Sequence, residues 1–108
     1  RANHNMNEKK IYSWLGLARR SGNLVSGDDT TLREVKKKRV SLVIIASDAS
    51  KNTKKLFSDK CSFRSIEFYE FGEKNKIGSS IGKSPRAVLG IMDKNIAIEI
   101  KKLLTESE

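Results

Sequence analysis

The stretch Val25 to Arg39, VSGDDTTLREVKKKR, holds the residues best suited to gripping an anion. A short apolar run, Leu24 and Val25, leads into Gly27, and a helix pattern opens on Asp28, Asp29, Thr30 and Thr31. A helix start opened by glycine presents backbone N–H groups that have no partner within the helix, and anions bind there readily. Behind it follow Arg33, Lys36, Lys37, Lys38 and Arg39, with only Glu34 among them to offset the charge. On a helical wheel Leu32 and Val35 face inward, while Arg33, Lys36 and Lys37 share the outer side. The chemistry such a stretch can do is to hold a polyanion.

Other chemistries find less support. Gly78 to Ser84 reads GSSIGKS, close to a phosphate-binding Walker loop, but only Ser79, Ser80 and Ile81 stand between its glycines where four residues are needed. Lys83 and Ser84 also lead into Pro85 and a strand rather than into a helix, so the glycines read as helix-tightening positions. Cys61, the single cysteine, falls on the apolar side of a helix pattern and reads as a buried structural thiol. One cysteine and one histidine, His4, make no metal-ligand cluster. The adjacent pair Asp28 and Asp29 reads as helix capping rather than acid–base machinery. No catalytic residue, cofactor site or metal site is expected.

Composition sharpens the choice of ligand. The 108 residues suit one domain, expected over residues 7–105, and carry a net charge of +9 from 22 basic and 13 acidic side chains. That excess points to nucleic acid or another anionic surface. Residues 9–64 hold 14 basic and 5 acidic side chains, whereas residues 65–108 hold 7 of each, so the polyanion-facing side lies in the first of these segments. The longest apolar run, Leu42 to Ala46, is far short of the roughly 18 residues of a membrane span. A lone cysteine fits a reducing cytosol, and a cytoplasmic location is expected. Residues 1–5, Arg1-Ala2-Asn3-His4-Asn5 ahead of Met6, read as a vector-derived tail that carries His4 with it.

The elements that must position the basic stretch alternate along the chain. Glu8 to Ser21 reads as a helix with Ile11, Trp14, Leu15 and Ala18 on one apolar face, and Gly22 after it. Trp14 lies on that stripe and is assigned to the core. Leu24 to Ser26 is a short strand. Val40 to Ala46 is a central strand buried on both faces, and Lys51 to Ser62 a helix with Leu56, Phe57 and Cys61 inward. Ile66 to Phe71 is a more exposed strand, Gly72 to Ile81 a short helix, Ala87 to Met92 the last strand. Asp93 or Asn95 then starts a helix bearing Ile96, Ile100, Leu103 and Leu104. The pattern predicts an α/β fold, a three-layer α/β/α sandwich with a small mixed sheet of about four strands.

The order SGDDTTLREV, SLVIIASDAS, helix, IGKSPRAVLGIMD resembles the ribosomal protein L-seven-Ae family of kink-turn RNA binders, and within it the bacterial YlxQ-like branch. The resemblance spans Lys9 to Leu104. It implies an RNA face made of two places. One is the start of the second helix, where the family pattern Gly-x-Asn-Glu-x-x-Lys places Gly27 on the Gly and Arg33 on the Lys. Asp29 stands for the Asn and Thr30 for the Glu, and in the family that Asn, Glu and Lys read the sheared G·A pairs of a kink-turn. Asp29 offers only acceptors and adds negative charge beside RNA, and Thr30 reaches less far than Glu. Arg33 brings a planar fork suited to G O6/N7 or to phosphate. The other place is the loop Lys83, Ser84, Pro85, Arg86 and Ala87, which in the family closes over a flipped-out nucleotide.

The expectation is therefore a non-enzymatic, monomeric RNA-binding protein for a kink-turn or related internal loop in ribosomal or other structured RNA. Lys36, Lys37, Lys83 and Arg86 would neutralise phosphates. Aromatic residues make up only 6% of the chain, so recognition rests on shape and backbone rather than on a base-stacking sheet. The alternative is a protein-interaction module on the same fold, its basic face docking an acidic partner.

Overall fold

The computed structural model describes residues 2–106, with the side chains of residues 2–5 outside the description. Residues 2–5, read from the sequence as a tail ahead of a helix from Glu8, have helical backbone as the first turn of α1, and Arg1 lies outside the described residues. Helix α1 (Ala2–Arg20) precedes strand β1 (Leu24–Ser26) and helix α2 (Asp28–Lys36). Strand β2 (Leu42–Ile45), helix α3 (Lys51–Phe63), strand β3 (Glu67–Glu70) and helix α4 (Lys74–Ser80) follow, then strand β4 (Val88–Ile91) and helix α5 (Lys94–Glu106). The strands form one mixed sheet in the order β1-β4-β2-β3. β4 runs antiparallel to both β1 and β2, and β2 runs parallel to β3. Helices α1, α4 and α5 form one outer layer, and α2 and α3 the other. This is the α/β/α sandwich with four strands that the alternating pattern predicts.

The interior strands are apolar throughout for a simple reason. β2 and β4 are covered on both faces, so all of Leu42 to Ile45 and Val88 to Ile91 are buried. β3 is an edge strand with Phe68 and Tyr69 half-buried, and its two carboxylates reach in opposite directions. Glu67 pairs with Lys101 of α5 at 2.6 Å, and Glu70 with Lys54 of α3 at 3.3 Å. Opposite-facing partners at positions three apart follow from the two-residue repeat of a strand.

Local signals fix most element ends. Gly22, at φ 76°, closes α1, and the Asn23 N–H turns back to the Ala18 carbonyl at 2.8 Å. Ser50 accepts from the Thr53 N–H at 3.1 Å to cap α3, and Asp93 accepts from the Ile96 N–H at 2.9 Å to start α5.

Several inward assignments move. Thr31 and Val35, not Leu32, take the fully buried positions of α2, and Leu32 is half-buried. Leu56 is exposed while Phe57 and Cys61 fill the core, where α3 packs against α2, β2 and β3. Trp14 is half-buried at the rim of the core rather than inside it. α2 ends at Lys36, so Lys37, Lys38 and Arg39 turn away from the helix axis. Lys38 makes that turn at φ 58°, a left-handed conformation. A side chain there costs roughly 1–2 kcal/mol. Lys38→Gly should raise stability by about 0.5–1 kcal/mol once the extra freedom of glycine in the unfolded chain is set against the relief. A urea midpoint unchanged or lowered in this variant would contradict the assignment.

Candidate nucleic-acid interface

The start of α2 is uncapped. Gly27 occupies the cap position at φ 91° and ψ 156°, a backbone region that only glycine enters freely, and no side chain accepts from the first turn. The N–H groups of Asp28, Asp29 and Thr30 find no acceptor among the described residues, whereas the Thr31 N–H returns to the Gly27 carbonyl at 3.1 Å. Because Gly27 takes the cap position, Asp28 and Asp29 stand inside the first turn and do not cap it, which corrects the expectation from sequence. Their carboxylates still complement the positive end of the helix dipole. Both are exposed, as is Arg33, and Thr30 is half-buried.

The loop before β4 lies beside this helix start because β1 and β4 are paired. The Gly27 N–H donates to the Val88 carbonyl at 3.0 Å, extending the ladder by one bond past Ser26. Arg86 adds a side-chain bridge. Its Nε donates to Ser26 Oγ at 3.2 Å, and its Nη1 to Ser84 Oγ at 2.8 Å and to the Ser84 and Pro85 carbonyls at 3.2 Å each. Arg86 is half-buried, so its guanidinium first holds the loop and its neighbour together. Lys83, Ser84 and Pro85 are exposed at the tip, with Ala87 half-buried behind them.

A second support comes from beneath the loop. The Lys83 N–H donates to the Gly78 carbonyl at 2.8 Å, and the Arg86 N–H to the Lys74 carbonyl at 3.1 Å. α4 is itself anchored where Asp48, in the turn after β2, accepts from the Lys74 N–H at 2.9 Å. Gly78 is buried where the loop crosses the helix. Sequence reasoning missed Ser26, Asp48 and the role of Gly78, since each acts through a partner distant in the chain.

Not all the expected site residues come together. With a rise of about 1.5 Å per residue, Arg33 stands roughly 7 Å along α2 from Asp28, and Lys36 roughly 12 Å. Lys36 and Lys37 are exposed but sit at the far end of the helix from the loop. Arg39 turns back to Glu34 at 3.6 Å. The segments brought together are Gly27 to Thr30 and Lys83 to Ala87, with Arg33 about one turn beyond Thr30 along α2.

Reactive groups are scarce. Cys61 is fully buried, and burial pushes its thiol up to about 11. No group of acids, cysteines or histidines that could hold a metal ion occurs among the described residues. None of the described helices is long and apolar enough to cross a membrane.

The crossing at Gly78 gives a direct test. A Cβ there would collide with the Ser84 carbonyl and stand 2.9 Å from Pro85 Cα, both backbone atoms that cannot swing aside. Gly78→Ala should cost about 1–3 kcal/mol, as overpacking does, and raise amide exchange over Lys83 to Arg86. A melting curve and an exchange profile matching the parent would show that the loop does not rest on this helix.

The chain is similar to proteins known by sequence and to others known by structure. The chain is 37% identical over 98 residues to the RNA-binding protein YlxQ of Enterococcus faecium, covering 91% of this chain and 94% of that protein. It is 34% identical over 99 residues to the RNA-binding protein YlxQ of Bacillus subtilis (strain 168), covering 92% and 99%. A protein of unknown function from Bacillus halodurans superposes with a TM-score of 0.86 at 35% identity, over 89% of this chain and 97% of that one. The Giardia lamblia 15.5kD RNA binding protein shares the fold, with a TM-score of 0.79 at 18% identity over 94% and 88% of the two chains. The model of the Ribosomal protein L7Ae/L30e/S12e/Gadd45 family matches residues 9–100, and the chain belongs to that family.

Proposed function

We propose that this chain is a non-enzymatic, cytoplasmic and monomeric RNA-binding protein, with residues 7–105 acting as one domain. Its target is a kink-turn or related internal loop in ribosomal or other structured RNA. The observation that carries the reading is the uncapped start of α2 set beside a loop that Arg86 ties to Ser26. The names of the relatives support RNA as the ligand.

Each part has a distinct task. The amides of Asp28 to Thr30 meet the backbone of the sharply bent strand. Arg33 presents two parallel donors to a guanine edge or to a phosphate. The Asp29 carboxylate accepts only, so it favours base edges that carry amino groups and repels phosphate oxygens. Ser84 and Pro85, exposed on a supported loop, close over an unstacked nucleotide. Lys83 neutralises phosphate near the bend, while Lys36 and Lys37 follow the backbone where it leaves along α2.

Arg33→Ala should weaken kink-turn binding by about 1–3 kcal/mol, roughly 5- to 150-fold, and leave plain-duplex binding much less affected. Lys36→Ala should weaken both RNAs alike. Equal losses on the two RNAs for both variants would remove Arg33 from the reading site. Binding should also fall with salt by about 0.7–0.9 log unit per log unit of salt for each phosphate contact. A flat salt dependence in a mobility-shift series would exclude the phosphate contacts assigned to Lys36, Lys37 and Lys83.

A further inference from the structure

A second cationic surface lies on α1, outside the interface just described. Lys9, Lys10, Ser13, Trp14, Leu17 and Arg20 line an open cleft of about 420 Å³. Leu17 is 42% exposed, and Trp14 is half-buried, with part of the indole against the core and part lining the cleft. Three of the six lining residues are cations and none is an acid. Glu8, the only acid in α1, lines a neighbouring cleft with Lys9, Tyr12 and Lys76, so Lys9 borders both. Lys9, Lys10 and Arg20 form no ion pair among the described residues.

An aromatic face among unpaired cations suits an unpaired nucleic-acid strand. A base stacks on the ring whatever its identity, and the flanking charges take the phosphates. A helix lying on a membrane would need a broad continuous apolar face, and here Ser13, Lys10 and Arg20 interrupt Trp14 and Leu17. The surface is also joined to the loop half of the interface. The point where a Cβ on Gly16 would stand lies 3.1 Å from the Ser80 carbonyl at the end of α4 and 3.2 Å from Arg20 Nη1. Arg20 thus folds back toward the α1–α4 junction, just ahead of the turn that carries Lys83.

We propose that Trp14, with Lys10 and Arg20, is a stacking platform for a single-stranded segment flanking the structured RNA that the interface binds. This rests on the RNA-binding reading above and extends the protein's footprint beyond the folded motif. The platform is indifferent to base identity, so it reads the presence of an unpaired flank rather than its sequence.

The chain contains one tryptophan, so indole emission reports on this surface alone. The full chain is titrated with a blunt-ended kink-turn RNA and with the same RNA carrying a uridine extension of roughly ten nucleotides at either end. One extended RNA should quench Trp14 and bind at least about fivefold more tightly than the blunt one. Trp14→Leu should lose that gain with blunt binding intact, and Trp14→Phe should keep most of it. Tight blunt binding with no gain and no quenching from either extension overturns the platform, and so does a gain that survives in Trp14→Leu. If the blunt RNA does not bind, the proposed function fails by itself. Quenching by oligouridine would then still support the platform, and its absence would overturn it. A blue shift on phosphatidylserine vesicles, with no response to the extended RNAs, would assign the surface to membrane and overturn it as well.

Discussion

The antiparallel pairing of β1 with β4 is the constraint on which the rest depends. It places the exit of β1 and the entry of β4 at one end of the sheet, so two segments some 60 positions apart in sequence meet there, Arg86 Nε reaching Ser26 Oγ at 3.2 Å. The Gly27 N–H continues the ladder onto Val88, and that bond sets where α2 begins. A residue with a Cβ would resist the φ of 91° that redirects the chain there. The site is thus a consequence of strand order, completed by one glycine and one guanidinium.

The candidate interface carries less free charge than the composition suggests. Of the basic run, Arg39 returns to Glu34, and Lys36 and Lys37 lie at the distant end of α2. Arg86 spends its Nε and Nη1 donors on the protein. What remains open at the centre is a set of backbone amides, with Arg33 and Lys83 at the edges. Amides at fixed positions recognise the path of a strand, while lysines recognise only its charge. A loop held from beneath and an uncapped helix start therefore favour a particular bend over any polyanion, which is what the proposed kink-turn reading requires.

The fold was legible because its signals are local. The apolar run at Val40 to Ala46, the stripe through Ile11, Leu15 and Ala18, and the turns at Gly22 and Asp93 each declare an element by themselves. The inward face of α2 was less legible, since Thr31 and Leu32 lie on either side of Val35 on the wheel and packing against β1 and β4 decides between them. The pattern at Gly27 and Arg33 was visible as an anion-binding start and as a family resemblance. The supports were not. Asp48 on α4, Gly78 under Ser84 and Arg86 on Ser26 are contacts between segments that no window of sequence contains. Arg86 shows the limit well: its charge was readable, but its commitment to the protein was not.

In the proposed function, RNA meets the open amides at the start of α2 together with the loop that Arg86 holds. The most direct measurement is a nitrogen–proton correlation spectrum of the labelled chain as a kink-turn RNA is added. The amides of Asp28, Asp29 and Thr30 should shift together with those of Lys83 and Ser84, while Lys60 on the outer side of α3 stays in place. Binding of the RNA with those five amides unmoved would place the RNA elsewhere on the protein.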